Sequence, residues 1–475
     1  MSDLFLAEHD FQVKDFIRRG FRNSGDWITL GPSAMMALDN EKIPYRIPED
    51  FFMPEDLESA CLKSHERVEF LSERLDQLAV EKYTELRDYG IRPFLFSIFP
   101  LTIIFDALVS RIFILKAILE ANNNCRIFIH SNTSSSFGFF EIAFTMEDTL
   151  WGQVLSLAGW DREIEVLPDP IKSKDNALFH SILDRFSVDA MQRILKSAYF
   201  CKVRKKKSIL IKGDDMWHYV EHSLKDKGWR IIRGLGVIKN AELPGRERPS
   251  VVDSIKSNPE LMDYFGYRGI CFFSLIEKRL LMLESLAAGS PSRILARLHS
   301  LIEGSGLIGI LISSSATFTD QAINQLAKYL GLPVINWQHG FIYYDQSISQ
   351  LSEYKELMGS KVLFTYGQEV TRGFNHYLDK FPCKIYSVGS PAIEAIRKKP
   401  AALRRYTAKK KMHILYATST YYQNYWYFGF SPPFSDRLFY QDQLIIIESL
   451  NKIALSYKHK ITIKLHPLLH DQIFW

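Results

Sequence analysis

The stretch LIGILISSSATFTDQAINQLAKYLGLPVINWQHGFIYYD, residues 307–345, decides the fold. The apolar run over Ile308–Ser313 reads as a buried strand. It leads through a Ser/Thr loop into a helix that stops at Gly331, and a second strand carries the chain to Gln338-His339-Gly340. Strands joined through a helix in this way are parallel partners in one sheet. Ligands of open α/β sheets sit off the carboxyl ends of the strands. Gln338, His339 and Gly340 are therefore expected at a ligand edge.

Working outward, the same unit recurs. Asp26–Leu30 is a strand ending at Gly31-Pro32-Ser33, followed by a helix to about Asn40 and a short strand at Tyr45–Ile47. Ser208–Lys212 is a strand, then Gly213-Asp214-Asp215, a helix over 216–227 and a strand at Trp229–Ile232. Lys361–Thr365, a helix over 369–379 and Lys384–Val388 run to Gly389-Ser390-Pro391. Met412–Ala417 ends in Thr418-Ser419-Thr420, and after the helix Phe439–Tyr457 the strand Ile461–Leu465 ends at His466-Pro467. Residues 1–25 read as an amphipathic lead-in, 54–90 as helix, and 250–305 as helix broken at Gly289-Ser290-Pro291. The expected fold class is α/β, with two Rossmann-like doubly wound domains. The first covers 1–395 with helical insertions, a basic linker covers 396–411, and 412–475 opens the second. Two strands and one helix leave much of a parallel sheet uncovered, so the second domain is expected to be incomplete.

Bulk properties narrow the class. With 475 residues, two or three domains with sizeable cores are expected, and 47% hydrophobic against 24% charged residues excludes a chain dominated by disorder. The aromatic share of 13% suits either an ordinary core or a sugar-binding cleft. The net charge of +5 is concentrated in Lys202–Lys207 and Arg397–Lys411. Such runs are solvated faces or contacts for anionic lipid or polyanionic glycan. No nucleic-acid module accompanies them, so nucleic acid is not an expected partner. Five scattered cysteines without a CxxC argue against a zinc site or disulfide framework and fit a reducing compartment. The N-terminus lacks a secretory signal pattern. Pro93–Leu119 is long enough to span a bilayer, but Asp106, Arg111 and Lys116 interrupt it; its helical spacing reads as a core or interfacial helix.

Several constellations could carry chemistry. His339, just past a strand, is either a base that takes a proton from a hydroxyl or a structural histidine bonded across a loop. Asp345 could orient it or replace it as base, or lie on the surface. Lys464, His466 and Pro467 at a strand end could neutralise a phosphate leaving group, or form a plain His-Pro turn. The hydroxyls of Thr418, Ser419, Thr420 and Ser390, with the free N–H groups of their loops, could bind phosphate or sugar. No aspartate pair is spaced D-x-D, which disfavours a metal-dependent nucleotide-sugar site. The P-loop, HExxH and GxSxG patterns are absent.

The stretches NWQHG (336–340), SVGSP (387–391), HILYATST (413–420) and IKLHP (463–467), in that order, resemble GT-B glycosyltransferases of bacterial surface polysaccharide synthesis. The group includes capsule Kdo transferases, polysialyltransferases and teichoic-acid glycerophosphotransferases. The resemblance covers 330–467 well and 50–300 only diffusely. It implies that His339 is the acceptor-side base, with Gln338 and Gly340 beside it. It implies that His466 contacts the donor phosphate, and that the two face each other across an interdomain cleft. The expected partners are a nucleotide-activated sugar as co-substrate, a glycan or lipid-linked acceptor, and the inner face of an anionic membrane. No metal or other cofactor is expected, and the place of work is cytoplasmic, peripheral to the membrane. Two other readings stay open: a nucleotide-sugar epimerase of the same architecture, and a non-catalytic glycan-binding or assembly protein.

Overall fold

A computed structural model describes residues 2–131, 142, 144, 149–169, 207–212, 217–233, 250–338, 352–397, 413–418 and 436–464. Its architecture is α/β, built on parallel sheets. The first sheet holds β1 (Ser2–Ala7), β2 (Gly25–Thr29), β3 (Cys125–Ser131) and β4 (Ile164–Pro168), in the order β2-β1-β3-β4 and all parallel. Its helices are α1 (Asp10–Arg18), α2 (Pro32–Glu41), α3 (Pro54–Lys82) and α4 (Ile98–Ala121). The expected lead-in thus contains a central strand: Leu4–Ala7 are fully buried between β2 and β3. The short strand expected at Tyr45–Ile47 is reduced to one bridge, Ile28 to Arg46.

The second sheet begins with β5 (Ser208–Lys212), the helix α5 (Trp217–Asp226) and β6 (Arg230–Arg233). A small antiparallel hairpin follows, β7 (Gly266–Tyr267) with β8 (Ile270–Cys271). Then come α6 (Phe273–Ser305), β9 (Leu307–Ile312), α7 (Phe318–Tyr329), β10 (Val334–Trp337), β11 (Val362–Thr365) and β12 (Lys384–Ser387). The six strands lie in the order β12-β11-β10-β9-β5-β6, all parallel. Numbered within the sheet, that is 2-1-3-4-5-6, a doubly wound order whose direction reverses between β5 and β9. The first sheet reverses likewise between β1 and β3. A two-stranded parallel sheet, β13 (His413–Ala417) with β14 (Lys460–Lys464), carries α8 (Asp436–Tyr457) between its strands.

The span 1–395, expected as one Rossmann-like domain, therefore holds two sheets, and the chain changes sheet between β4 and β5 as well as before β13. A common core ties the two together. One apolar cluster runs from Leu4, Ile28 and Ile127 of the first sheet through α3 and α4 to Leu210, Ile310 and Val334 of the second. The apolar stretch noted above is the middle of that layer. Among the described residues α4 is the one helix long and apolar enough to cross a membrane, and its most apolar window is wholly buried against protein. Its Asp106 carboxyl is met inside the core by His65 Nε2 of α3, at 2.8 Å. Burial raises the Asp106 carboxyl above its usual range while His65 pulls it down.

The expected break at Gly289-Ser290-Pro291 does not occur. α6 runs through Pro291. One proline removes a single intrahelical hydrogen bond, and Leu283, Ala287, Ile294 and Leu298 on both sides of it are buried in the shared core. That packing holds the two halves in line.

Candidate functional site

The carboxyl edge of the second sheet is described at the exits of β9, β10 and β11. Gln338 stands at the exit of β10 and is buried. Its backbone N–H donates to Phe364 O at 2.9 Å, and its Oε1 accepts from the Tyr366 N–H at 2.9 Å. The side chain thus ties β10 to the exit of β11 and fixes where the chain leaves the sheet. The residues next in sequence, His339 and Gly340, lie outside the described residues, as does Asp345.

A polar layer supports this exit. Ser314, after β9, has φ of 68°, a left-handed conformation that costs a non-glycine residue energy. It is held there by donating its N–H to Asn336 Oδ1 at 2.9 Å. Asn336 in turn donates to Glu356 O and Oε2 at 2.8 and 3.1 Å. Thr317 caps α7 by accepting from the Asp320 N–H at 3.2 Å, and Lys212 of β5 pairs with Asp320. Thr317→Ala is expected to cost about 1 kcal/mol, read as a lowered urea midpoint. Below this layer Trp217 and Trp337 meet edge to face at 5.1 Å, with Phe364 at 5.5 Å from Trp337. Both indole N–H groups are buried and lack a hydrogen-bond acceptor among the described residues. Trp337 ends β10 and Trp217 opens α5.

No family model matches this chain, and no curated protein matches it. The chemistry of the edges is therefore read from their own residues. Among the described residues no group of three His, Cys, Asp or Glu side chains is placed to hold a metal ion. Cys61, Cys125, Cys271 and Cys383 are free thiols.

Of the expected donor residues, the structure brings two together. Thr418 follows β13 and donates its N–H to Lys464 O at 2.9 Å, so both stand at the carboxyl end of the small sheet. Thr418 is buried and Lys464 exposed. Ser419, Thr420, His466 and Pro467 lie outside the described residues. Ser390 sits elsewhere, past β12 at the edge of the second sheet. It is half-buried there, and its carbonyl accepts from the Glu394 N–H at 3.1 Å.

The first sheet has a second polar edge, which sequence reasoning missed. Glu8 and His9 follow β1, Ser33 follows β2, His130 closes β3 and Asp169 follows β4. Gln12 organises them. Its Oε1 accepts from the N–H groups of Glu8 and His9 at 2.7 and 3.1 Å, and its Nε2 donates to Asp169 Oδ1 at 3.2 Å. His130 is wholly buried, with Nε2 at 3.0 Å from Asp15 Oδ2. Burial raises the Asp15 carboxyl, but the bonds to His130, Arg19 and Arg18 outweigh it and hold the group at about 2. Burial lowers the His130 ring below its usual value against the pull of Asp15. The pair is accordingly a carboxylate beside a neutral imidazole.

Arg437 of α8 closes this edge. Its Nε and Nη2 donate to Glu49 at 2.9 and 2.6 Å, and its Nη1 donates to Leu30 O, just past β2, at 2.8 Å. Its guanidinium lies 5.7 Å from the ring of Trp151, on which Arg111 also stacks at 4.8 Å. Gly31-Pro32-Ser33 was a sign of this edge in the sequence; the strand that completes it, SDLFLA, is short.

Proposed function

We propose that the chain is a glycosyltransferase, moving a sugar or polyol phosphate from a nucleotide-activated donor to a surface polysaccharide or its lipid-linked precursor. The observation that carries this reading is the second sheet. Its doubly wound order has Gln338 at the carboxyl exit of β10, one strand beyond the reversal between β5 and β9, and ligands of such sheets bind along that edge. A GT-B-like enzyme uses such edges on two Rossmann-like domains, and the motif order of the chain supports that finer assignment.

In this reading His339 takes the proton of the acceptor hydroxyl, with Asp345 as orienting group and Gln338 and Gly340 shaping the acceptor side. His466 and Lys464, with the hydroxyls of Thr418, Ser419, Thr420 and Ser390, stabilise the nucleotide phosphate as it departs; Pro467 sets the angle of the loop. No metal is needed by this scheme. The basic runs would hold the enzyme against an anionic inner membrane face.

A panel of nucleotide sugars tests the proposal. The matching donor at 100-fold above its Kd should stabilise the protein by about 2.7 kcal/mol, seen as a raised Tm. His466→Ala should lose that rise. His339→Ala should keep it while turnover falls at least about 100-fold. Equal stabilisation of wild type and His466→Ala would sink the donor-site assignment.

A further inference from the structure

Two adjoining clefts of about 430 and 590 Å³ meet at the β7–β8 hairpin, and none of the edge residues named above lines them. Tyr267 pairs with Ile270, which leaves Arg268 and Gly269 as a two-residue loop. Both have positive φ, 47° and 83°, the signature of a type I′ turn. Asparagine and glycine suit such positions; an arginine there is strained. The strained residue lines both clefts, together with Tyr267. Its guanidinium lies 4.6 Å from the Phe113 ring and 5.7 Å from that of Tyr267. Arg67 fixes the base of the hairpin by donating to Gly266 O and Asp263 O at 2.9 and 2.7 Å.

α3 supplies a floor to this groove. Asp56, Ser59, Lys63, Arg67 and Phe70 recur every three or four residues, so they share one helix face. All are exposed or half-buried. At 1.5 Å per residue the stripe is roughly 21 Å long. Phe70 is 49% exposed and stacks on Tyr264 at 5.7 Å. Lys63, Arg67 and Arg268 outnumber Asp56 and Asp263 among the cleft's charged residues.

We propose that this groove binds a linear saccharide bearing carboxylate groups. The planar fork of a guanidinium takes a carboxylate through two parallel hydrogen bonds, which an ammonium cannot. Exposed Phe70 and half-buried Tyr264 offer apolar surface to the C–H faces of sugar rings. The length of the stripe suits a chain of sugars rather than one. The choice of a saccharide over another polyanion rests on the transferase reading; the groove of cations and aromatic rings does not.

The test is calorimetric titration of the full chain with oligogalacturonate, beside a neutral malto-oligosaccharide of the same length. Arg268→Asn places the residue best suited to a type I′ turn before Gly269. Its Tm should therefore hold or rise while affinity for oligogalacturonate falls at least tenfold. Lys63→Ala, at an exposed helix position, should also weaken binding with Tm unchanged. No binding by the wild type, or equal binding by wild type and both variants, overturns the site. Equal binding of the neutral oligosaccharide overturns the assignment of carboxylates. Nucleotide-sugar stabilisation is measured on the same samples and should be the same in all three. Its absence from the wild type defeats the transferase reading without touching the groove, and its loss only in the variants means that the groove holds the donor instead.

Discussion

Arg437→Ala should release α8 from the first sheet at a cost of about 3–5 kcal/mol. Three terms decide the size. Glu49 loses both charge-assisted bonds and its carboxylate stays largely enclosed, and breaking one partner of a buried pair typically costs that much. Leu30 O loses its donor, which adds an unsatisfied acceptor. The stem and guanidinium also leave a gap beside Trp151. Against these, an exposed ion pair would be worth about 0–1 kcal/mol; the Arg437 side chain is only 2% exposed and that of Glu49 12%. A chain with several sheets need not unfold in one step. The proper readout is hydrogen exchange over 436–457, which should speed up by about 10²- to 10⁴-fold. Replacing the pair together, as Glu49→Leu with Arg437→Met, should recover much of the loss, because an apolar pair needs no desolvated charge. Unchanged exchange in Arg437→Ala would mean that Tyr440, packed on Met35 and Ile47, holds the helix without the arginine.

The second large effect is expected at Glu353→Gln, and it depends on pH. Glu353 is buried, and its Oε2 has no hydrogen-bond partner among the described residues. Burial pushes its carboxyl from the usual 4.5 up to about 8, and Glu69 adds to the rise while Lys380 and His65 oppose it. The folded protein therefore keeps a proton that the unfolded chain has lost. Stability falls as pH rises from about 4.5 to about 8 and levels off above that. At pH 7 the cost is about 3 kcal/mol, from some 2.5 pKa units at 1.36 kcal/mol each. Glutamine keeps the shape and carries no charge. The variant should match the wild type near pH 4.5 and be more stable by about 3 kcal/mol at pH 7. Urea unfolding of both proteins at the two pH values reads the difference, in which what the two share cancels. A difference that does not change with pH would show that Glu353 is already ionised in the fold.

Much of the fold was legible because it is local. LIGILI and LPVINW are apolar runs bounded by a Ser/Thr loop and a Gly-Leu-Pro stop, and β9, α7 and β10 fall where those signals put them. β1 was not legible. Six residues at the chain start carry little pattern, and their partner β3 lies more than a hundred residues away. With β1 unread, the polar edge of Glu8, His9 and His130 could not be assembled. The Arg437–Glu49 pair spans 388 positions and leaves no local trace at all. Pro291 misled for the opposite reason: its local signal is strong, and packing along α6 overrides it. At the second sheet the exit at Gln338 was legible, but not that its amide is spent on clasping Tyr366.

The shared layer of α3 and α4 also governs how the protein is made. α4 leaves the ribosome long before the residues that finish its burial. Phe105 packs on Phe265 and Phe272 at 5.8 and 5.3 Å, and the same core closes only with β9 and β10. At 5–20 residues per second, the synthesis from 121 to 334 takes roughly 10–40 s. For that time α4 lacks the cover that Phe265, Phe272 and the second sheet supply. It is the segment on which a ribosome-bound chaperone would act, and the first half of the chain expressed alone would carry the same sticky surface permanently.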